Sequence, residues 1–153
     1  MTSLEIVLSA LRSLGRADAL ALRANAAGMD GTAIIAEEAK VPAWDGGKDY
    51  SGWPVGGPVV DEGQVWTLLQ PHNAAHYAGR PSALRALWGL CHTRDPAQAK
   101  PFVAPLGTSG MYMAGECCTD PDAADPSAVY RSKVDNNAYS PGDYPQNWEL
   151  VNP

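Results

Sequence analysis

Every proline and every aromatic ring of this 153-residue chain lies beyond residue 41, and residues 1 to 40 carry ten alanines instead. A chain divided this sharply must fold in two styles. Alanine-rich sequence without rings or proline favours helix, whereas clustered proline and glycine break the chain into turns. Leu4, Val7, Leu8, Leu11 and Leu14 recur at helical spacing, and Ala17, Leu20, Ala21 and Ala24 carry the stripe toward a stop at Gly28. The spacing predicts one helix, bent at Gly15. Asp30 and Thr32 offer N-caps for a short second helix through Glu38, which must end before Val41-Pro42 because proline restricts its predecessor. A helix this narrow builds no core alone. Its stripe must pack either on the following domain or on copies of itself in neighbouring subunits, and the sequence leaves both open.

Beyond that boundary, residues 58 to 60, 64 to 69 and 129 to 134 are short apolar or alternating stretches set between Gly, Pro, Asn and Asp. They predict short strands with tight turns, and residues 119 to 126 read as a hairpin tip. The same anchors occur twice. Val65-Trp66 matches Val129-Tyr130; Asn73-Ala74 and Asn137-Ala138 follow seven and eight residues after Trp66 and Tyr130; Pro81 and Pro141 each precede a tryptophan, Trp88 and Trp148, by seven. Such periodicity predicts two related small β units. The expected fold class is therefore α+β, mainly β. A helical N-terminal arm over 1–40, for attachment or oligomerisation, precedes two small repeated antiparallel β modules over 42–92 and 102–151.

Charge narrows the function. Seventeen acidic residues against eleven basic ones give a net charge of −6, which excludes phosphate-driven nucleic-acid binding. No run of 18 apolar residues occurs, and residues 1 to 13 lack a basic flank before an apolar block, so the expectation is synthesis in a cytoplasm without membrane insertion. Three cysteines, two of them adjacent at 117 and 118, argue for reduced thiols, with a Cys91 to Cys117 bridge left open by spacing.

The repeated pattern resembles the small chitin- and cellulose-binding modules of carbohydrate-binding families five and twelve. In the first copy it is carried by Trp44, Tyr50, Gly57, Val60, Gly63, Val65-Trp66, the run Leu69-Gln70-Pro71-His72 and the closing Ala86-Leu87-Trp88, with residues 53 to 56 inserted. In the second copy Tyr112, Gly115 and Cys118 keep the Tyr-x-x-Gly-x-x-apolar spacing, Val129-Tyr130 repeats the central strand, and Tyr139-x-Pro141 with Pro145-x-x-Trp148 closes the unit. The resemblance spans residues 43 to 151. It implies that an exposed aromatic nine residues before the closing tryptophan stacks on a sugar ring. Tyr139 holds that position, whereas the first copy has Gly79 there and Tyr77 two residues earlier. Modules of this pattern recur in bacteriophage tail and fibre proteins behind short helical segments, which implies a virion location, other virion proteins as partners and a homo-oligomer, with trimers common in fibre-like assemblies.

A pyranose offers a C–H face to a flat ring and hydroxyls to neighbouring amides. Asp135, Asn136 and Asn137 precede Tyr139, and His72 and Asn73, with Gln70 and His76, surround Tyr77, so both clusters are candidate glycan contacts. Trp53, between Gly52 and Pro54, is a further loop aromatic. The competing reading for Tyr139, Tyr77 and Trp53 is a subunit interface or ordinary packing; Trp66, Trp88, Trp148 and Tyr130 read as minimal cores. His72, His76, Cys91 and His92 permit a zinc-dependent hydrolase reading, but His72 and His76 fall in a predicted loop and Cys91 and Cys118 read as buried thiols. Asp120, Asp122 and Asp125 lack the glycine and terminal glutamate of a calcium loop. With no carboxylate pair or nucleophile motif standing out, the expected function is non-catalytic and cofactor-free: adhesion to a glycan or cell-surface polysaccharide. A purely structural capsid or tail docking protein is the rival.

Overall fold

The computed structural model describes residues 2 to 151. The fold is α+β. Helix α1 (Ser3–Asn25) starts at a capping box, in which Thr2 Oγ1 accepts the Glu5 amide at 3.2 Å and Glu5 Oε2 accepts the Thr2 amide at 2.6 Å. It runs through Gly15 without a break. Asp30 caps the short α2 (Gly31–Ala36) by accepting the Ala33 amide at 2.8 Å. Thr32 instead accepts the Arg94 amide at 2.9 Å, tying α2 to the segment between the two halves of the chain.

The first sheet is antiparallel, in the order β1 (Pro58–Asp61), β2 (Gln64–Leu68) and β3 (Trp88–Leu90). Glu62 and Gly63, with φ of 53° and 76°, join β1 to β2 in the tight turn whose twist suits a two-residue hairpin. The second sheet has the order β4 (Lys100–Pro101), β5 (Cys117–Thr119), β6 (Val129–Ser132) and β7 (Trp148–Val151), with β4 parallel to β5 and the rest antiparallel.

The two sheets share a hydrogen-bonding pattern. Trp66 pairs with Leu90 and Leu68 with Trp88, as Tyr130 pairs with Leu150 and Ser132 with Trp148. Val59 opposes Trp66 as Cys118 opposes Tyr130. Gly56 and Gly115 both have φ of 92°, and their amides donate to Leu68 and Ser132 carbonyls at 2.7 and 2.9 Å. The counterparts of Gly115 and Cys118 are therefore Gly56 and Val59, one residue before the Gly57 and Val60 of the sequence pattern. Extra residues between Tyr50 and Gly56, Trp53 among them, obscure that register in the sequence.

Each half has its own aromatic core. Tyr50, Trp53, Val59, Trp66, Leu68 and Trp88 pack in the first, and Tyr112, Cys118, Tyr130 and Trp148 in the second. A third cluster joins the helices to the first sheet: Ala26, Ile34 and Ile35 bury Val65 and Cys91. Residues 2 to 18 are exposed throughout, whereas Leu22 and Ala26 are buried and the segment after them supplies core to the first half. Between the halves, Gln64 Nε2 donates to the Pro101 carbonyl and Lys100 Nζ to the Gly63 carbonyl, both at 3.0 Å, while Lys100 also pairs with Glu38.

Candidate functional site

The closing loop of the second half carries two exposed rings, among them the most exposed tyrosine of the described residues. Tyr139 is 59% and Tyr144 41% exposed, their ring centroids 5.7 Å apart and tilted by 36°. Three contacts fix the backbone of the loop that carries this pair. Trp148, buried under the loop, donates its indole N–H to the Tyr139 carbonyl at 2.9 Å; the Tyr144 amide donates to the Ser140 carbonyl at 2.9 Å; and Asp120 Oδ2 accepts the Gly142 amide at 2.9 Å. Asp120 is itself buried and spends Oδ1 on the Asp122 amide, so it staples the aromatic loop to the hairpin tip. Its backbone counterpart in the first sheet is Asp61, which holds Arg80 through two bonds of 2.9 and 3.0 Å. A strand-end carboxylate therefore anchors the loop before the last strand in both halves.

Asp135 and Asn136 are exposed on the turn leading to Tyr139, where Asn136 has φ of 54°. Asp135 Oδ1 accepts the Ala114 amide at 3.0 Å, which orients the carboxylate, and the Asn136 amide contacts Met113 Sδ at 3.4 Å. Asn137 differs from the expectation of a ligand contact. It is buried, exchanges both backbone bonds with Tyr112 and donates Nδ2 to Ser132 Oγ at 3.0 Å, so it holds the turn and presents nothing to solvent.

The first half builds no matching ledge. Gly79 stands nine residues before Trp88, whose indole N–H is buried without a partner. Tyr77 is half exposed but stands edge-on against His72, with centroids 5.3 Å apart. His72 is buried among Tyr50, Tyr77 and Trp88, with Nδ1 2.8 Å from the Gln70 carbonyl, and Asn73 uses its side chain to cap the turn at Ala75 at 3.1 Å. Asn73 is spent on local structure, and His72 is packed into the core with its Nε2 buried without a partner. Trp53, a loop aromatic for which glycan contact, interface and packing were all open, is only 9% exposed because Arg23 of α1 lies over its ring at 3.7 Å and Tyr50 meets it edge-on at 4.7 Å. It is a seat for α1, and a glycan has no face of it to stack on.

Elsewhere the reactive side chains are also engaged. Among the described residues, no group of three or more His, Cys, Asp or Glu converges in a way that would hold a metal ion. Cys91, Cys117 and Cys118 are free and buried, and desolvation pushes the Cys91 thiol up to about 12. Burial likewise pulls His92 down to about 4; its ring stacks on Tyr112 at 3.6 Å, and Nε2 lies 2.8 Å from the Gly110 carbonyl. An apolar groove of about 600 Å³ runs along Ala97, Ala128, Val129, Leu150 and Val151, but the carboxylates at its rim, Asp95 and Asp125, accept backbone amides of Ala97 and Ser127.

Sequence reasoning singled out Tyr139 but missed Tyr144, and it weighed Asp120 only as a calcium ligand. A second tyrosine five residues on, within a Pro-Gly turn, was an available signal for Tyr144. Asp120 was hidden because its anchoring role requires a partner 22 residues away. No protein-family model matches the chain, and no curated protein matches it.

Proposed function

We propose that this chain is a non-catalytic, virion-associated protein of bacteriophage tail or fibre type that adheres to a glycan through the Tyr139 loop of its C-terminal half. The observation that carries the reading is the pair of exposed tyrosines held by Trp148 and Asp120 from beneath. A loop backbone fixed in this way leaves only the tyrosine side chains to order on binding, so stacking on the C–H face of a pyranose meets a reduced ordering cost. Asp135 and Asn136, exposed on the preceding turn, supply acceptors and an amide for hydroxyls. The shared register of the two sheets, down to the matching glycine φ values, supports a duplicated carbohydrate-binding-like unit in which the first copy has become scaffold. The N-terminal helix is the element for attachment and assembly with other virion proteins. Among the described residues no helix is long and apolar enough to cross a membrane.

Retention on chitin and on a glycan array tests the adhesive reading. Wild-type protein is expected to be retained by at least one polysaccharide, Tyr139→Ala to lose at least about tenfold in affinity, and Asp120→Asn to lose part of it by loosening the loop. Absence of wild-type retention, or retention that Tyr139→Ala leaves unchanged, would overturn it. The second reading, a purely structural docking or decoration unit, is favoured by one observation: the first half has Gly79 where the second has its exposed ring. Under that reading Tyr139 and Tyr144 are covered by a neighbouring virion subunit.

A further inference from the structure

We infer that the free part of α1 pairs antiparallel with the same helix of a second copy of this chain. Residues 2 to 18 are exposed throughout, and Leu4, Val7, Leu11 and Leu14 lie between 53 and 67% exposed along one line of the helix, with Leu8 beside them. The alternative that this stripe packs on its own domain is therefore closed for residues 2 to 18. An isolated helix of this length is marginal in water, so a partner is needed to hold it.

The stripe has the spacing of a coiled-coil seam, and its next seam position is Asp18. In a parallel, in-register assembly, dimeric or trimeric, Asp18 would face its own copies and like charges would meet at the end of the seam. In an antiparallel pair, Leu4 lies opposite Leu14 and Val7 opposite Leu11, giving four closed layers over about 15 Å. Asp18 then falls just past the last layer, beside the partner helix's N-terminus, where a carboxylate is favoured by the helix dipole. Ala10 and Ala17 on the flank of the stripe permit close approach, and the outer face carries Glu5, Ser9, Arg12, Ser13 and Arg16 with Ile6 as its one large apolar residue.

Length and charge agree with this occupant. The layers occupy residues 4 to 14, inside the exposed stretch, and the first turn of the partner helix, at Ser3, lies opposite residue 15, ahead of the turns that pack on the body. Within the free stretch Arg12 and Arg16 are balanced by Glu5 and Asp18, so it lacks the basic excess that would draw it to an anionic membrane. Two such helices bury on the order of 1,000 Å² in total, the lower bound for a specific interface, which suits a reversible dimer. The inference rests on α1 being the assembly element, and it is independent of what Tyr139 binds.

Sedimentation equilibrium of the full chain tests it. The expected mass is that of two 16.2 kDa chains at tens of micromolar, falling toward one on dilution. Leu11→Glu, at an exposed position, should weaken association at least about 100-fold while leaving tryptophan fluorescence unchanged. Orientation is read by oxidation: Leu4→Cys mixed with Leu14→Cys should give a crosslinked heterodimer in high yield, and Leu4→Cys alone should not self-crosslink. The three native thiols are buried and do not compete. A monomer at all concentrations, a trimer, or efficient self-crosslinking of Leu4→Cys would each overturn the proposal, and none of these results bears on glycan retention.

Discussion

His92 shows how one buried side chain couples the halves of the molecule to pH. It lies two residues past the last strand of the first sheet, stacks on Tyr112 of the second core and faces the Gly110 carbonyl, with Arg85 adding a positive field. Burial is the larger influence and lowers its pKa from 6.5 to about 4. The folded state therefore binds fewer protons than the unfolded state between these values. The stability due to the neutral imidazole is fully present above pH 6.5 and is lost as pH falls through about 4, a change of roughly 3 kcal/mol. Urea denaturation between pH 7 and 4 should show this slope in the wild type. His92→Phe, which keeps a ring against Tyr112 but cannot titrate, should remove most of it; an unchanged slope would assign the acid sensitivity to other groups.

At the scale of elements, the two glycines with φ of 92° make an internal control. Both start the strand pair of their sheet, and both adopt a backbone that a Cβ strains by about 1 to 2 kcal/mol. Their surroundings differ. A Cβ at Gly56 would lie 2.8 Å from Ala27 Cα, whereas at Gly115 its nearest neighbours are Arg94 side-chain atoms at 3.6 Å. Gly115→Ala should thus cost about 1 to 2 kcal/mol in urea denaturation. Gly56→Ala should cost at least about 1 kcal/mol more, because the backbone after α1 must move away from the first sheet. Equal costs would mean that Ala27 yields freely. The strand anchors that carry the comparison, Trp66 with Trp88 and Tyr130 with Trp148, were legible in the sequence because ring spacing survives insertions in loops. The burial of Trp53 was not, since its neighbours Gly52 and Pro54 signal a turn while the group that covers it, Arg23, comes from a helix 30 residues earlier. His72 and Asn137 were misplaced for a similar reason. A polar residue beside an exposed aromatic looks like a ligand contact until its backbone partners are known, and those partners are set by the fold.

At the scale of the whole molecule, the composition break near residue 41 and the structural boundary do not coincide. Local sequence marks where helix gives way to strand, but which helical turns belong to the body depends on what they bury. Ala26, Ile34 and Ile35 cover Val65 and Cys91 on the face of the first sheet away from the aromatic core, and Arg23 covers Trp53. Removing residues 1 to 18 should therefore leave the urea midpoint of the body unchanged, while abolishing any self-association through α1. Removing residues 1 to 40 uncovers two isoleucine contacts, the Cys91 thiol and the ring of Trp53; burial of a large aliphatic side chain is worth about 1.5 to 3 kcal/mol, so the loss approaches the whole stability of a small domain. The shorter chain should denature at much lower urea and bind a hydrophobic dye at its exposed sheet face. If it instead kept the midpoint of the full protein, the seat formed by α1 and α2 would be dispensable, and the first sheet would have to draw its stability from the second half across the contacts of Gln64 and Lys100.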